Sequence, residues 1–226
     1  MLICNKIGYY KQIGLLIAFT LMYNVCGAHT IDYQLEPVKT SDVFWQFIVE
    51  GFKHIIPLGL DHILFVVCIC FLQTSLKKTL VQASIFTLAH SVTLCLSAFG
   101  VIALDARIVE PIIALSIVFL ALENVFFAEI KPWRIATIFM FGLIHGLGFA
   151  GALSGLDMPK NDFITALLGF NLGVELGQVC IILVLFYALI NPFYNKMWYN
   201  AYLRMPICGI IAAVAAYWTV ERIFFA

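Results

Sequence analysis

Apolar residues in this chain fall in long runs, not in the alternating or three-to-four-spaced stripes of a water-soluble fold. Six runs, at 54–73, 80–104, 108–128, 135–155, 163–190 and 204–224, are each near the length of about 20 residues that spans hydrocarbon as a helix. Residues 43–53 (VFWQFIVEGFK) mix apolar and polar positions. They predict an amphipathic helix lying at the interface, the run-in to the first span. The polar stretch 29–42 predicts a short exposed segment on the far side of the membrane.

The first 28 residues are laid out differently. Lys6 and Lys11 precede an apolar stretch over 13–25, and Cys26-Gly27-Ala28 offers small residues for a cut, as in a secretory signal. Cleavage after Ala28 makes His29 the mature N-terminus; the competing reading is an uncleaved anchor helix. A lipoprotein reading of Cys26 is discounted, because Tyr23-Asn24-Val25 is a poor lipobox. The expected organisation is a signal peptide over 1–28, a short periplasmic segment and run-in over 29–53, and an all-α, polytopic transmembrane bundle of about six helices over 54–226.

Composition agrees. The chain is 63% hydrophobic and 12% charged, with mean hydropathy +1.00. A soluble chain is about half apolar and about a quarter charged, so lipid must solvate this one. Net charge is zero with no basic run, which leaves nothing for nucleic acid to bind. Charge placement orients the bundle. Lys77, Lys78, Lys131, Arg134, Lys196 and Arg204 follow the first, third and fifth runs, whereas only Arg107 and Lys160 follow the second and fourth. The positive-inside rule then puts the mature N-terminus in the periplasm of a bacterial inner membrane, as a cleaved signal requires.

The candidate chemistry lies in what the apolar runs fail to exclude. His54, Asp61 and His62 fall at the start of the first, His90 in the second, and Glu110, Glu123 and Asn124 in the third. His145 falls in the fourth, and Asn171, Glu175 and Gln178 in the fifth. Ionisable groups in a bilayer are costly and face a bundle interior, a partner or a wet path. Glu110 and Glu221, near span ends, are accounted for by snorkelling. Asn171, Glu175 and Gln178 share one helix face, and Gly169, Gly173 and Gly177 the opposite one. The first face predicts oxygen ligands turned inward, the second close helix packing. A lone membrane histidine is as readily a cross-helix hydrogen-bonding group as a ligand, and both readings stand at this point.

Imidazole with carboxylate oxygen suits nickel, cobalt, zinc, iron or copper(II). Cys68, Cys70, Cys95, Cys180 and Cys208 sit singly or on different faces and read as small buried hydrophobes, with no soft copper(I) route.

The segments GFKHIIPLGLDHILF, FTLAHSVTL, VEPIIALSIVFLALEN, FGLIHGLGFAGAL and LLGFNLGVELGQ, in that order over 51–180, resemble the HupE/UreJ family of bacterial membrane proteins. That resemblance implies a nickel or cobalt permease of the kind associated with hydrogenase and urease gene clusters. It also implies that His54, Asp61, His62 and the His145-Gly146 element carry the family signature. One spacing departs: six residues, 55–60, separate His54 from Asp61, where the family has five. The extra residue turns a helix by about 100°, which a break at Pro57 and Gly59 would have to absorb.

The leading expectation is therefore uptake of a divalent transition metal, nickel or cobalt first and zinc possible, from periplasm to cytoplasm. Its path is lined by His54, Asp61, His62, His90, Glu123, His145, Asn171 and Glu175. The metal is the substrate or ligand, the lipid bilayer the surroundings, and a homo-oligomer is compatible with the sequence. The alternatives are an intramembrane zinc hydrolase acting on lipid or membrane peptide, and an accessory protein delivering metal to an enzyme.

Overall fold

The computed structural model describes residues 39–72, 74–148 and 162–225. The expected signal peptide, His29, the expected continuation of the fourth span over 149–155 and Lys160 lie outside them. The described residues form seven helices and no strand: α1 Thr40–Ile55, α2 Leu60–Leu72, α3 Leu76–Ala98, α4 Ala106–Phe126, α5 Arg134–Gly148, α6 Phe163–Leu185 and α7 Met205–Phe224. Helix α6 continues through a π-turn at Phe186–Ile190 to Phe193, and a second π-turn, Asn200–Arg204, leads into α7.

Four helical stretches are long and apolar enough to cross a membrane: Leu76–Ala98, Ala106–Phe126, Phe163–Phe193 and Asn200–Phe224. The pair α1 and α2 makes a fifth if counted as one broken span, and α5 is a shorter apolar helix. Leu88, Leu115, Phe119, Leu168 and Ile210 point outward, the surface expected of a helical membrane bundle. Helix α3 starts and stops earlier than the run 80–104 suggests. Gly100 takes φ 71°, and the N–H groups of Gly100 and Val101 bond back to the Ser97 and Leu96 carbonyls. That paired closure ends a helix irrespective of the apolar residues beyond it.

The first run is not one helix. Its chain bends by 71° between α1 and α2. Proline lacks the N–H that would extend α1 and pushes the preceding residue out of the α region. Ile56 accordingly sits at φ −121°, ψ 114°. Gly59 lies against the His54 carbonyl, where any Cβ would collide. The amphipathic run-in proves to be most of α1, whose Val43, Phe47, Ile48, Gly51 and Ile55 form one buried face.

Three helix pairs surround α2: α1 with α6, α3 with α5, and α4 with α7. Helix α2 is apolar nearly all round and buried from His62 to Leu72 but for Leu64 and Val67, as a central helix must be. The first two pairs rest on glycine. Gly169 faces the Phe44 carbonyl, Gly173 the Ile48 carbonyl and Gly177 the Ile55 side chain, each so close that an added Cβ would collide. Partners ascend together, so α1 and α6 run parallel. Gly142 and Gly146 likewise admit the backbone of Phe86 and His90, which binds α5 along α3.

A Gly173→Ala variant should lose about 1–3 kcal/mol, because its Cβ meets rigid backbone. Gly209, with nothing within 4 Å, is the control, and Gly209→Ala should stay within about 0.5 kcal/mol of the parent. Unfolding midpoints of purified protein in detergent provide the comparison.

Candidate metal centre

The break between α1 and α2 sets His54, in the last turn of one helix, against His62, in the first turn of the next. Their ring centroids are 4.8 Å apart. His90, midway along α3, lies 5.6 Å from His62 and 6.3 Å from His54. His145, in the last turn of α5, is 5.1 Å from His62 on another side. Four helices thus deliver four imidazoles, three of them mutually close and the fourth, His145, against His62. One nitrogen from each of His54, His62 and His90 falls within 4.8 Å of the others. Two nitrogens on one ion bonded at about 2.1 Å stand at most about 4.2 Å apart, so the three rings would need to draw only slightly closer to share an ion.

Buried polar atoms normally have partners. Yet among the described residues His62 Nε2, His90 Nδ1 and Nε2, and His145 Nδ1 are buried without a hydrogen-bond partner. For His145 the reason can be followed to a tautomer. Ser116 Oγ donates to the Ile113 carbonyl at 2.6 Å and lies 3.0 Å from His145 Nε2. With the hydroxyl proton on that carbonyl, the favoured tautomer has Nε2–H as donor and a lone pair on Nδ1. Setting the free nitrogen through the other one is how proteins orient metal-binding imidazoles. Next door, Gly146 allows the approach that brings His145 in, and Thr93 Oγ1 donates to the Leu143 carbonyl at 2.7 Å to hold it.

The imidazoles rest on aromatic rings. Phe65 and Phe86, 4.6 Å apart, lie 5.1 and 5.0 Å from His145, and Phe170 stands 5.5 Å from His54. One turn beyond Phe65 and Phe86 lies a buried guanidinium. Arg134 bonds Glu123 Oε2, Asn124 Oδ1 at 3.1 Å, Gln82 Oε1 at 3.2 Å and the Cys68 carbonyl at 3.1 Å. Arg134 was counted as a loop cation in the sequence but is 0% exposed, and Arg204 is 4% exposed. Single sequences show Arg134 only as positive charge near a span end; its four acceptors come from three other helices.

Four of the eight residues singled out in the sequence are held by other side chains. Asp61 is paired with Arg222 at 3.0 Å, and Glu123 with Arg134. Asn171 accepts from Ser91 at 2.7 Å, and Glu175 from Ser84 at 2.6 Å. With Thr87 and Gln178, 3.1 Å apart, these form a polar seam between α3 and α6. Ser116, Arg134 and Arg222 had not been singled out as site residues; for Ser116 nothing in its apolar run marks it.

The family model described as "HupE / UreJ protein" matches residues 30–222. The chain belongs to the HupE/UreJ family. Members are associated with nickel or cobalt transport or with metal delivery to urease and hydrogenase. No match was found among curated proteins or among solved structures. In this HupE/UreJ protein, then, the matched span takes in all four membrane histidines and the arginine beneath them.

Removing one partner of a buried ion pair strands the other. Arg134→Ala should therefore destabilise the protein by about 3–5 kcal/mol. The Arg134→Ala/Glu123→Ala double variant should cost less than the sum of the two single ones, measured as a double-mutant cycle on unfolding in detergent.

Proposed function

We propose that this protein is an inner-membrane permease that carries a divalent transition metal, nickel or cobalt first, from the periplasm to the cytoplasm. The observation behind this reading is the meeting of His54, His62 and His90 at one buried point with His145 against His62, where ring nitrogens of His62, His90 and His145 have no hydrogen-bond partner among the described residues. Packing histidines would have found hydrogen-bond partners within the bundle. Neutral imidazole is a borderline donor that suits nickel, cobalt and zinc, and it can release them again.

In this reading His54, the least buried of the four, receives the hydrated ion together with Asp61. His62, His90 and His145 replace its water shell. Phe65 and Phe86 separate this centre from Glu123, the carboxylate on the cytoplasmic side, which takes the ion only after parting from Arg134. Asn171 and Glu175 serve as ties between α6 and α3. Inward movement of a dication gains about 4–5 kcal/mol per 100 mV of inside-negative potential. Orientation rests on the lysines: Lys77, Lys78, Lys131 and Lys196 remain at one end even with Arg134 and Arg204 buried. Zinc hydrolysis is the weaker reading, since it needs a carboxylate base at the centre. Among the described residues Glu123 and Glu175 are already bonded to Arg134 and Ser84.

Proteoliposomes holding the purified protein should take up nickel or cobalt faster when an inside-negative potential is imposed. His62→Ala and His145→Ala should each reduce uptake by about tenfold or more, the loss expected of a ligand, while Ser116→Ala, which loosens one ring, should reduce it less. Unchanged uptake by folded His62→Ala and His145→Ala proteins would remove the basis of the permease reading.

A further inference from the structure

Beside His62 the structure holds a charge arrangement that the permease reading leaves unused. Arg222, near the end of α7, places one terminal nitrogen 3.0 and 3.2 Å from the two carboxylate oxygens of Asp61. Its other terminal nitrogen donates to the Glu110 carbonyl at 3.2 Å. Its Nε stands 4.0 Å from the Glu110 carboxylate, and its guanidinium lies 5.6 Å from the Trp218 ring centre. One cation is thus shared between two carboxylates, tightly on Asp61 and loosely on Glu110. The group carries a net charge of −1.

We propose that Arg222 is a two-position guard, which moves from Asp61 toward Glu110 when a divalent cation arrives and so releases Asp61 to the ion. The proposal rests on the permease reading and identifies what governs access to it. Three observations support it. The side chains are 20% exposed for Arg222, 26% for Asp61 and 49% for Glu110, and Glu110 and Arg222 stand near the ends of α4 and α7, so none is sealed inside the bundle. The shift to Glu110 is short and leaves the guanidinium paired throughout, avoiding the cost of an unpaired charge. The surplus negative charge attracts a dication, whereas a monovalent ion gains half as much and must displace a charge equal to its own. Arg134 is the contrast. Fully buried and held by three helices, it cannot part from Glu123 by side-chain rotation alone.

A merely structural tie and a guard differ in the sign of what their variants do. The experiment measures nickel uptake by the full chain in proteoliposomes, with magnesium as competitor. Arg222→Gln leaves Asp61 open and should lower the half-saturating nickel concentration by about two- to fivefold, the range a partly exposed ion pair carries. It should also let magnesium compete, because a bare carboxylate takes hard cations. Glu110→Gln takes away the second seat and should raise the half-saturating concentration by about the same factor, with little change in maximal rate. Arg222→Lys, which keeps the charge, should stay near the parent. Shifts in the same direction for Arg222→Gln and Glu110→Gln, or no shift in either, would overturn the guard. Should Arg222→Gln not fold, Glu110→Gln and Arg222→Lys decide, and an unaltered Glu110→Gln counts against it. Parent protein without nickel uptake sinks the permease reading and the guard together; parent uptake with unmoved variants sinks the guard alone.

Discussion

Proline at 57 has no N–H to extend α1, and Gly59 sits where a side chain would strike the His54 carbonyl, so the chain must turn between Ile55 and Leu60. Everything at the centre depends on that turn. In a continuous helix His54 and His62 would be eight residues apart, more than two turns along the axis. The turn instead makes them neighbours across a gap of 4.8 Å. It also frees α2 to run through the middle of the bundle while α1 lies along α6.

Around that turn the bundle divides its polar groups by role. Ring nitrogens of His62, His90 and His145 have no hydrogen-bond partner among the described residues, whereas Asp61 and Glu123 are matched with arginines on either side. Burying an arginine and a glutamate is costly unless most donors are satisfied, and four bonds from Arg134 to α2, α3 and α4 meet that condition. The same bonds fasten the ends of those helices to α5, so electrostatic satisfaction and helix registration become one problem with one solution. Glycines do the corresponding work without charge along α1–α6 and α3–α5.

Much of this was legible in the sequence, and the limits have physical causes. Long apolar runs announce membrane helices because lipid demands them, and the family resemblance was carried by segments containing the four histidines. Pro57 and Gly59 could be seen as a break, but not the 71° it produces. Helix ends were less readable: Gly100 stops α3 by backbone geometry, inside a run that hydropathy alone would continue to residue 104. The partners of the acidic residues were less legible than the meeting of the histidines. A carboxylate in an apolar run advertises a ligand, but whether an arginine from a distant helix already holds it depends on packing. Asp61 with Arg222 are 161 positions apart, and a single sequence gives no hint of their meeting.

The Ser116 contact has a further meaning for an incoming ion. Since the hydroxyl faces the Ile113 carbonyl on one side and His145 on the other, the ring cannot flip without abandoning its donor bond. The direction of its free lone pair is therefore fixed before any ion arrives. Less rotational freedom is left to lose at the moment of binding, and this ligand is pre-organised by folding itself. Of the four rings, His145 is the one built to wait.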